Sequence, residues 1–201
     1  MKKIVVITTL MLLALVTNAQ NATQARMVLD KTAKIVGNKN GASASFTISG
    51  KYGKSSGSIA IKANKFVAYT PEAIMWYDGK TQWTYMKNNE EVNVTNPDPS
   101  KQQSMNPYAF ISLYKNGYKL GMKTIGSNYQ VHMTSLNKNK PIKELYILIN
   151  KNNYKPSQVK MRQSNGWTTI NIGSLQTKNL SDSMFRFNAK DYPQDEVIDL
   201  R

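Results

Sequence analysis

Cysteine is absent from the 201 residues. That excludes disulfides, Cys-ligated metal, a thiol nucleophile and a lipidated N-terminal cysteine. Histidine occurs once, as His132, so a multi-histidine metal site is impossible and a Ser-His-Asp triad barely feasible. Acidic residues are few, 12 Asp+Glu against 27 Lys+Arg, for a formal charge of +15. Carboxylate pairs occur only as Glu90-Glu91 and Asp195-Glu196, beside turns or the chain end, where nothing raises one pKa for acid–base work. There is no Gly-rich phosphate loop, no HExxH and no GxSxG. The expectation is a protein that is not an enzyme and needs no metal or cofactor.

Long apolar runs are also lacking, except one. Lys2 and Lys3 precede an apolar stretch, Ile4 to Val16, and Thr17-Asn18-Ala19 places small residues before Gln20. This reads as a secretory signal peptide over residues 1–19, too short to span a bilayer, which takes about 20 apolar residues. A single domain of about 182 residues, 20–201, and a charge near +13 remain after cleavage. In an exported protein such charge points to anionic membrane surfaces or an acidic partner rather than to nucleic acid. The lysines are scattered, with no run of five, which favours a solvated surface over a dedicated patch.

What is present is one helical pattern followed by period-two alternation. Between Ala22 and Val36, Ala25, Val28, Leu29, Thr32, Ile35 and Val36 share one helical face, and Gly37 is a C-terminal stop. From Ser43 onward short alternating segments are separated by turn residues, among them the Asp78-Gly79 hairpin. Ser104 to Tyr114 reads as a second helix with Asn106 as cap and Pro107 at its first position. Further strands run to Thr177, with short ones expected at Met184 to Phe187 and Glu196 to Leu200. The reading is a mainly β (α+β) fold, a single curved antiparallel sheet of about 11 strands forming an incomplete barrel lidded by short helices. Such a sheet has an apolar face rich in the chain's 3 Trp, 5 Phe and 11 Tyr. Composition leaves open whether that face is a packed core or a cavity, because both use the same residue types.

Four segments resemble the LolA family of periplasmic lipoprotein carriers: Ala44-Ser45-Phe46-Thr47; Gly57 to Phe66; Trp76-Tyr77-Asp78-Gly79-Lys80-Thr81-Gln82-Trp83-Thr84-Tyr85 followed by Glu91-Val92; and Asn106-Pro107. Their order and spacing match across most of the chain. The resemblance implies a helix-lidded half-barrel and a chaperone function. Its cavity would take the acyl chains of lipoproteins and carry them from the inner to the outer membrane. Partners implied are acylated lipoproteins, an inner-membrane lipoprotein-releasing transporter and an outer-membrane acceptor. Transient membrane contact, no nucleic acid and a monomer complete the expectation. Lys62-Ala63-Asn64-Lys65 departs from the family's stretch, putting Ala63 where the family has a lid-closing arginine. A binding protein for another lipid or hydrophobic ligand therefore stays open, as does a β-domain with a filled core. Alternation assigns Ile59, Ile61, Phe66, Trp76, Trp83, Tyr85, Val92 and Val94 to the sheet side of the acyl cavity, and Val28, Leu29, Ile35, Phe110 and Leu113 to the lid.

Overall fold

The computed structural model describes residues 20–51, 53–97 and 112–201. The expected signal peptide and most of the second helix, including Asn106, Pro107 and Phe110, lie outside the described residues.

Helix α1 spans residues 20–36. Ala25, Val28, Leu29, Thr32 and Val36 are its buried side chains, in the spacing of one helical face. Gly37 closes it, its N–H donating to the Ala33 carbonyl at 2.8 Å. Gly41 then turns the chain into the sheet at φ +110, a conformation glycine adopts without a Cβ clash.

Twelve strands follow among the described residues. They are β1 (Ala42–Gly50), β2 (Gly53–Lys62), β3 (Lys65–Tyr69), β4 (Ala73–Tyr77), β5 (Gln82–Met86), β6 (Glu91–Thr95), β7 (Tyr118–Ile125), β8 (Asn128–Ser135), β9 (Glu144–Asn150), β10 (Pro156–Gln163), β11 (Gly166–Thr177) and β12 (Glu196–Asp199). All lie in one sheet, ordered β12-β6-β5-β4-β3-β2-β1-β11-β10-β9-β8-β7. The sheet is open: β7 and β12 are its two edges, and the first meander, β1–β6, meets the second, β7–β11, through the β1–β11 pair. Neighbouring pairs are antiparallel except the last, where β12 runs parallel to β6.

The sheet changes its buried side along its width. Residues directly opposite in an antiparallel ladder share a face. Following the register from β8 to β4, Val131, Ile147, Val159, Ile170, Ile48 and then Phe46, Ala44, Ile59, Ala68 and Met75 all face α1. Beyond β4 that face turns polar, with Gln82, Thr84, Asn93 and Thr95. The opposite face does the reverse. It is polar on β7–β11 and apolar on β2–β6, where Ala60, Val67 and Trp76 are buried under Phe185.

The segment from Lys178 to Asp195 forms that second cover. It is no strand at Met184 to Phe187, contrary to the alternating pattern there. Asp182–Phe185 is a 3₁₀ turn whose Ser181 hydroxyl accepts from the Ser183 N–H, a local bond that competes with extended pairing. The turn places Phe185 inward with no exposed surface. Lys62 Nζ donates to the Leu180 carbonyl at 2.7 Å, and Lys65 Nζ pairs with Asp182 at 3.1 Å. Gly41 makes room for Leu180, whose Cδ1 would lie 2.7 Å from a Cβ there.

Candidate functional site

On the α1 side, the sheet divides into a filled part and an unfilled part. The first two-thirds of α1 pack tightly. Ala25, Val28 and Leu29 join Leu113, Tyr114, Met133, Leu145 and Ile147 in one cluster over β7–β10. Polar contacts fix the helix there as well. Asn21 bridges both backbone groups of Met122 at 2.7 and 2.8 Å, covering part of the β7 edge. Thr32 Oγ1 donates to the Tyr154 carbonyl at 3.0 Å, and the Tyr114 hydroxyl donates to Asp30.

Past Thr32 the helix leaves a hollow. Its volume is about 240 Å³, and it runs from Val36 and Leu175 at one end of the strands to Ile48 and Thr70 at the other. Its walls are almost wholly apolar: Ala44, Phe46, Ile59, Ile61, Phe66, Ala68, Met75, Ile170 and Ile172 among them. Two local irregularities shape it. A bulge in β11, with Ser174 at φ 51, shifts the alternation so that Leu175 rather than Ser174 points inward. A second irregularity between Pro156 and Gln158 does the same for Pro156. Gly57 keeps the wall thin, because a Cβ there would meet the Phe46 ring at 2.8 Å and the Tyr69 carbonyl oxygen at 2.0 Å.

An empty apolar space has a cost. By the penalty of about 24 cal/mol per Å³ seen for core cavities, it forfeits at most on the order of 5 kcal/mol of packing. An apolar occupant recovers part of that, at about 0.8 kcal/mol per buried methylene. The space exceeds the roughly 150 Å³ that admits benzene in an engineered core, yet falls below the roughly 300 Å³ at which drug-sized pockets begin. It fits a length of hydrocarbon chain. A wider cleft of about 680 Å³ between the first turns of α1 and β7–β8 is lined by Asn21, Arg26, Lys119, His132 and Thr134, and offers no comparable apolar wall.

The thirteen candidate residues separate accordingly. Ile59, Ile61 and Phe66 line the hollow. Trp76, Trp83 and Tyr85 lie on the other face of the sheet, against Phe185, Phe187 and Tyr192. Val92 and Val94 share that face, opposite Tyr85 and Trp83 in the β5–β6 register. Alternation holds within each strand, but the named residues of β4–β6 lie on the face of the sheet opposite those of β2–β3. Nothing local in β4–β6 announces that a distant tail covers their other face.

The lid assignments also divide. Val28, Leu29 and Leu113 belong to the packed cluster, so they anchor the helix instead of roofing the hollow. Ile35 is half-buried beside Val36, the helix residue that does line the hollow. Phe110 lies outside the described residues. Ala63 is exposed at the tip of the β2–β3 turn, with φ 53. Lining residues not assigned from the sequence include Ala44, Phe46, Ala68, Met75, Ile170 and Ile172, which lie in regular alternation, and Leu175 and Pro156, which follow irregularities that a strict period of two cannot express.

The family of the outer membrane lipoprotein carrier protein LolA matches residues 15–165. The chain belongs to that family. No curated protein matches the sequence. Among solved structures, an uncharacterized conserved protein from Thermus thermophilus is similar over 88% of this chain and 99% of its own, with 10% identity and a TM-score of 0.60. A DUF1329 family protein from Desulfovibrio piger is similar over 84% and 98%, with 10% identity and a TM-score of 0.50. A LolA superfamily protein from Nitrosomonas europaea is similar over 81% and 97%, with 10% identity and a TM-score of 0.46. At such identity, the first two likenesses speak for the fold alone. Within the LolA family match lie α1 and the strands β1 to β10, hence most of the hollow's walls.

Proposed function

We propose that this protein is a periplasmic chaperone that shields the acyl chains of lipoproteins and carries them from the inner to the outer membrane. The observation that carries the reading is the apolar hollow of about 240 Å³ between the last turn of α1 and β1–β4, in a member of a family named for lipoprotein carriers. A bare acylated anchor crossing water exposes every methylene at about 0.8 kcal/mol each, so a carrier must cover the chains and still release them. Aliphatic walls suit that demand, because dispersion and burial are non-directional and grip any chain alike. The hollow as it stands covers part of one chain. Seating a whole anchor requires the end of α1 beyond Thr32 to move, while its first turns stay fixed through Asn21, Thr32 and the packed cluster.

The test is to mix the purified protein with a synthetic triacylated lipopeptide and measure comigration. A stoichiometric complex is expected, together with retention of lipoproteins in the inner membrane on depletion. Absence of both effects refutes the proposal. A second reading, a carrier of a free fatty acid or another single-chain lipid, is favoured by the size of the hollow and by Ala63 at the family's arginine position. Mass spectrometry of the extracted ligand separates the two: an acylated peptide supports the first, a lipid without peptide the second.

A further inference from the structure

The face of β8–β11 turned away from α1 carries a row of rings and cations. The His132 ring stacks on Tyr146 at 4.3 Å and 2°, and Tyr146 lies 6.0 Å from Trp167. Lys160 Nζ sits 4.8 Å from the Trp167 ring centre, and Arg162 Cζ 5.9 Å. One carboxylate organises the row. Glu144 accepts from the Tyr146 hydroxyl at 2.8 Å and from Arg162 Nε at 3.0 Å, and pairs with His132 Nε2 at 2.8 Å. Burial pushes the Glu144 carboxyl up. The bonds from Tyr146 and His132 and the charges of His132 and Arg162 outweigh it and hold the group below the usual carboxylate range. The register adds Lys119 and Lys123 of β7 to the same face.

We infer that this face docks on a membrane surface of anionic phospholipid, with Trp167 seated among the headgroups and Lys119, Lys123, Lys160 and Arg162 paired with phosphates. Trp167 is 39% exposed, a large apolar ring on a polar face. Amphipathic rings beside Lys and Arg are the composition that settles at a membrane interface, where the ring meets the acyl boundary and the cations reach the charged layer. Four strand cations against the single Glu144 give the charge complement. A sugar would need a bare ring to stack on, whereas Lys160 and Arg162 already lie over Trp167. An acidic protein is served by the cations alone and leaves the exposed indole unexplained.

The Trp167 carbonyl lies 3.4 Å from a Cβ built on Gly50, two residues beyond Ile48 of the hollow. Trp167 and the Ile48–Thr70 end of the hollow thus lie at the same end of the strands, on opposite faces of the sheet. The docking itself does not depend on what the hollow carries.

The experiment is flotation of the purified protein with vesicles of phosphatidylcholine, with and without phosphatidylglycerol. The bound fraction is expected to rise about tenfold with the anionic lipid and to fall with added salt. The triple variant Lys160→Glu, Arg162→Glu, Trp167→Ala should lose that gain, and Lys34→Glu with Lys80→Glu, placed elsewhere, should keep most of it. Equal binding to neutral vesicles, wild-type binding by the triple variant, or an equal loss in the control variant overturns the inference. A second readout needs no variant: anionic vesicles should protect the exposed tryptophan from acrylamide quenching, and unchanged quenching counts against docking. Ala68→Leu, which occupies the hollow, should bind vesicles as the wild type does. Vesicle binding with no lipopeptide loading sinks only the carrier reading, and loading with no vesicle binding sinks only this one.

Discussion

The two apolar faces of this sheet serve opposite ends. On the tail side of β2–β6, the protein fills its own surface. Trp76 meets Phe187 at 5.6 Å and Tyr192 at 5.8 Å, both edge-on, and Tyr85 lies 4.9 Å from Tyr192. On the α1 side of β1–β4, β10 and β11, mostly aliphatic side chains, with Phe46 and Phe66 among them, surround space that no described segment occupies. Rings have preferred geometry, so they make a permanent and specific fit. Branched aliphatics have none, so they suit an occupant that comes and goes. Of the aromatic residues assigned to a greasy binding wall, Trp76, Trp83 and Tyr85 are committed to the tail-side core, whereas Phe66 lines the hollow.

That contrast breaks or holds under substitution. Trp76→Ala should have the largest effect on stability, about 3–5 kcal/mol in urea denaturation, since it empties a filled site. A loss under 1 kcal/mol would mean that the tail does not pack there in solution. Ile172→Ala, in the wall of the hollow, should cost about 1–2 kcal/mol, because it already borders empty space and gives up fewer contacts. Ala68→Leu should leave stability within about 1 kcal/mol while cutting lipopeptide loading severely. Equal loading by that variant would show that the hollow is not the binding place.

The tail's attachment supplies the smallest effect, and it depends on pH. Hydrogen bonds from Lys65 and Lys62, and then their charges, hold the Asp182 carboxyl below the usual range. A depressed folded-state pKa means stability that is full above the ordinary carboxylate value of about 3.9 and is lost as pH falls through the depressed one. Asp182→Asn should therefore lower Tm slightly at pH 7, and the difference from wild type should vanish in strong acid. A Tm difference that persists there would assign the effect to packing in place of charge.

The helix, most strands and the hairpin turns were legible in the sequence because their causes are local. The spacing of Ala25, Val28, Leu29 and Thr32 and the Asp78-Gly79 turn each act within a few residues. Ile59, Ile61 and Phe66, which line the hollow, belong to one hairpin whose two strands meet at Ala63-Asn64. The change of face begins at Trp76, on the next strand, and carries Trp83, Tyr85, Val92 and Val94 with it. Parity within each strand was right. What failed was the assumption that one face stays buried across the whole sheet.

Alternation, turn chemistry and the order of motifs determined by themselves that this chain makes a helix and a wide antiparallel sheet of the LolA kind, because those signals arise between near neighbours. Which face of β4–β6 is inside, where β11 shifts its parity at Ser174, and that a hollow persists under the end of α1 were decided only in the tertiary structure. They depend on Phe185, Phe187 and Tyr192 arriving from about a hundred residues away, and no periodicity records a contact between segments so far apart in the chain.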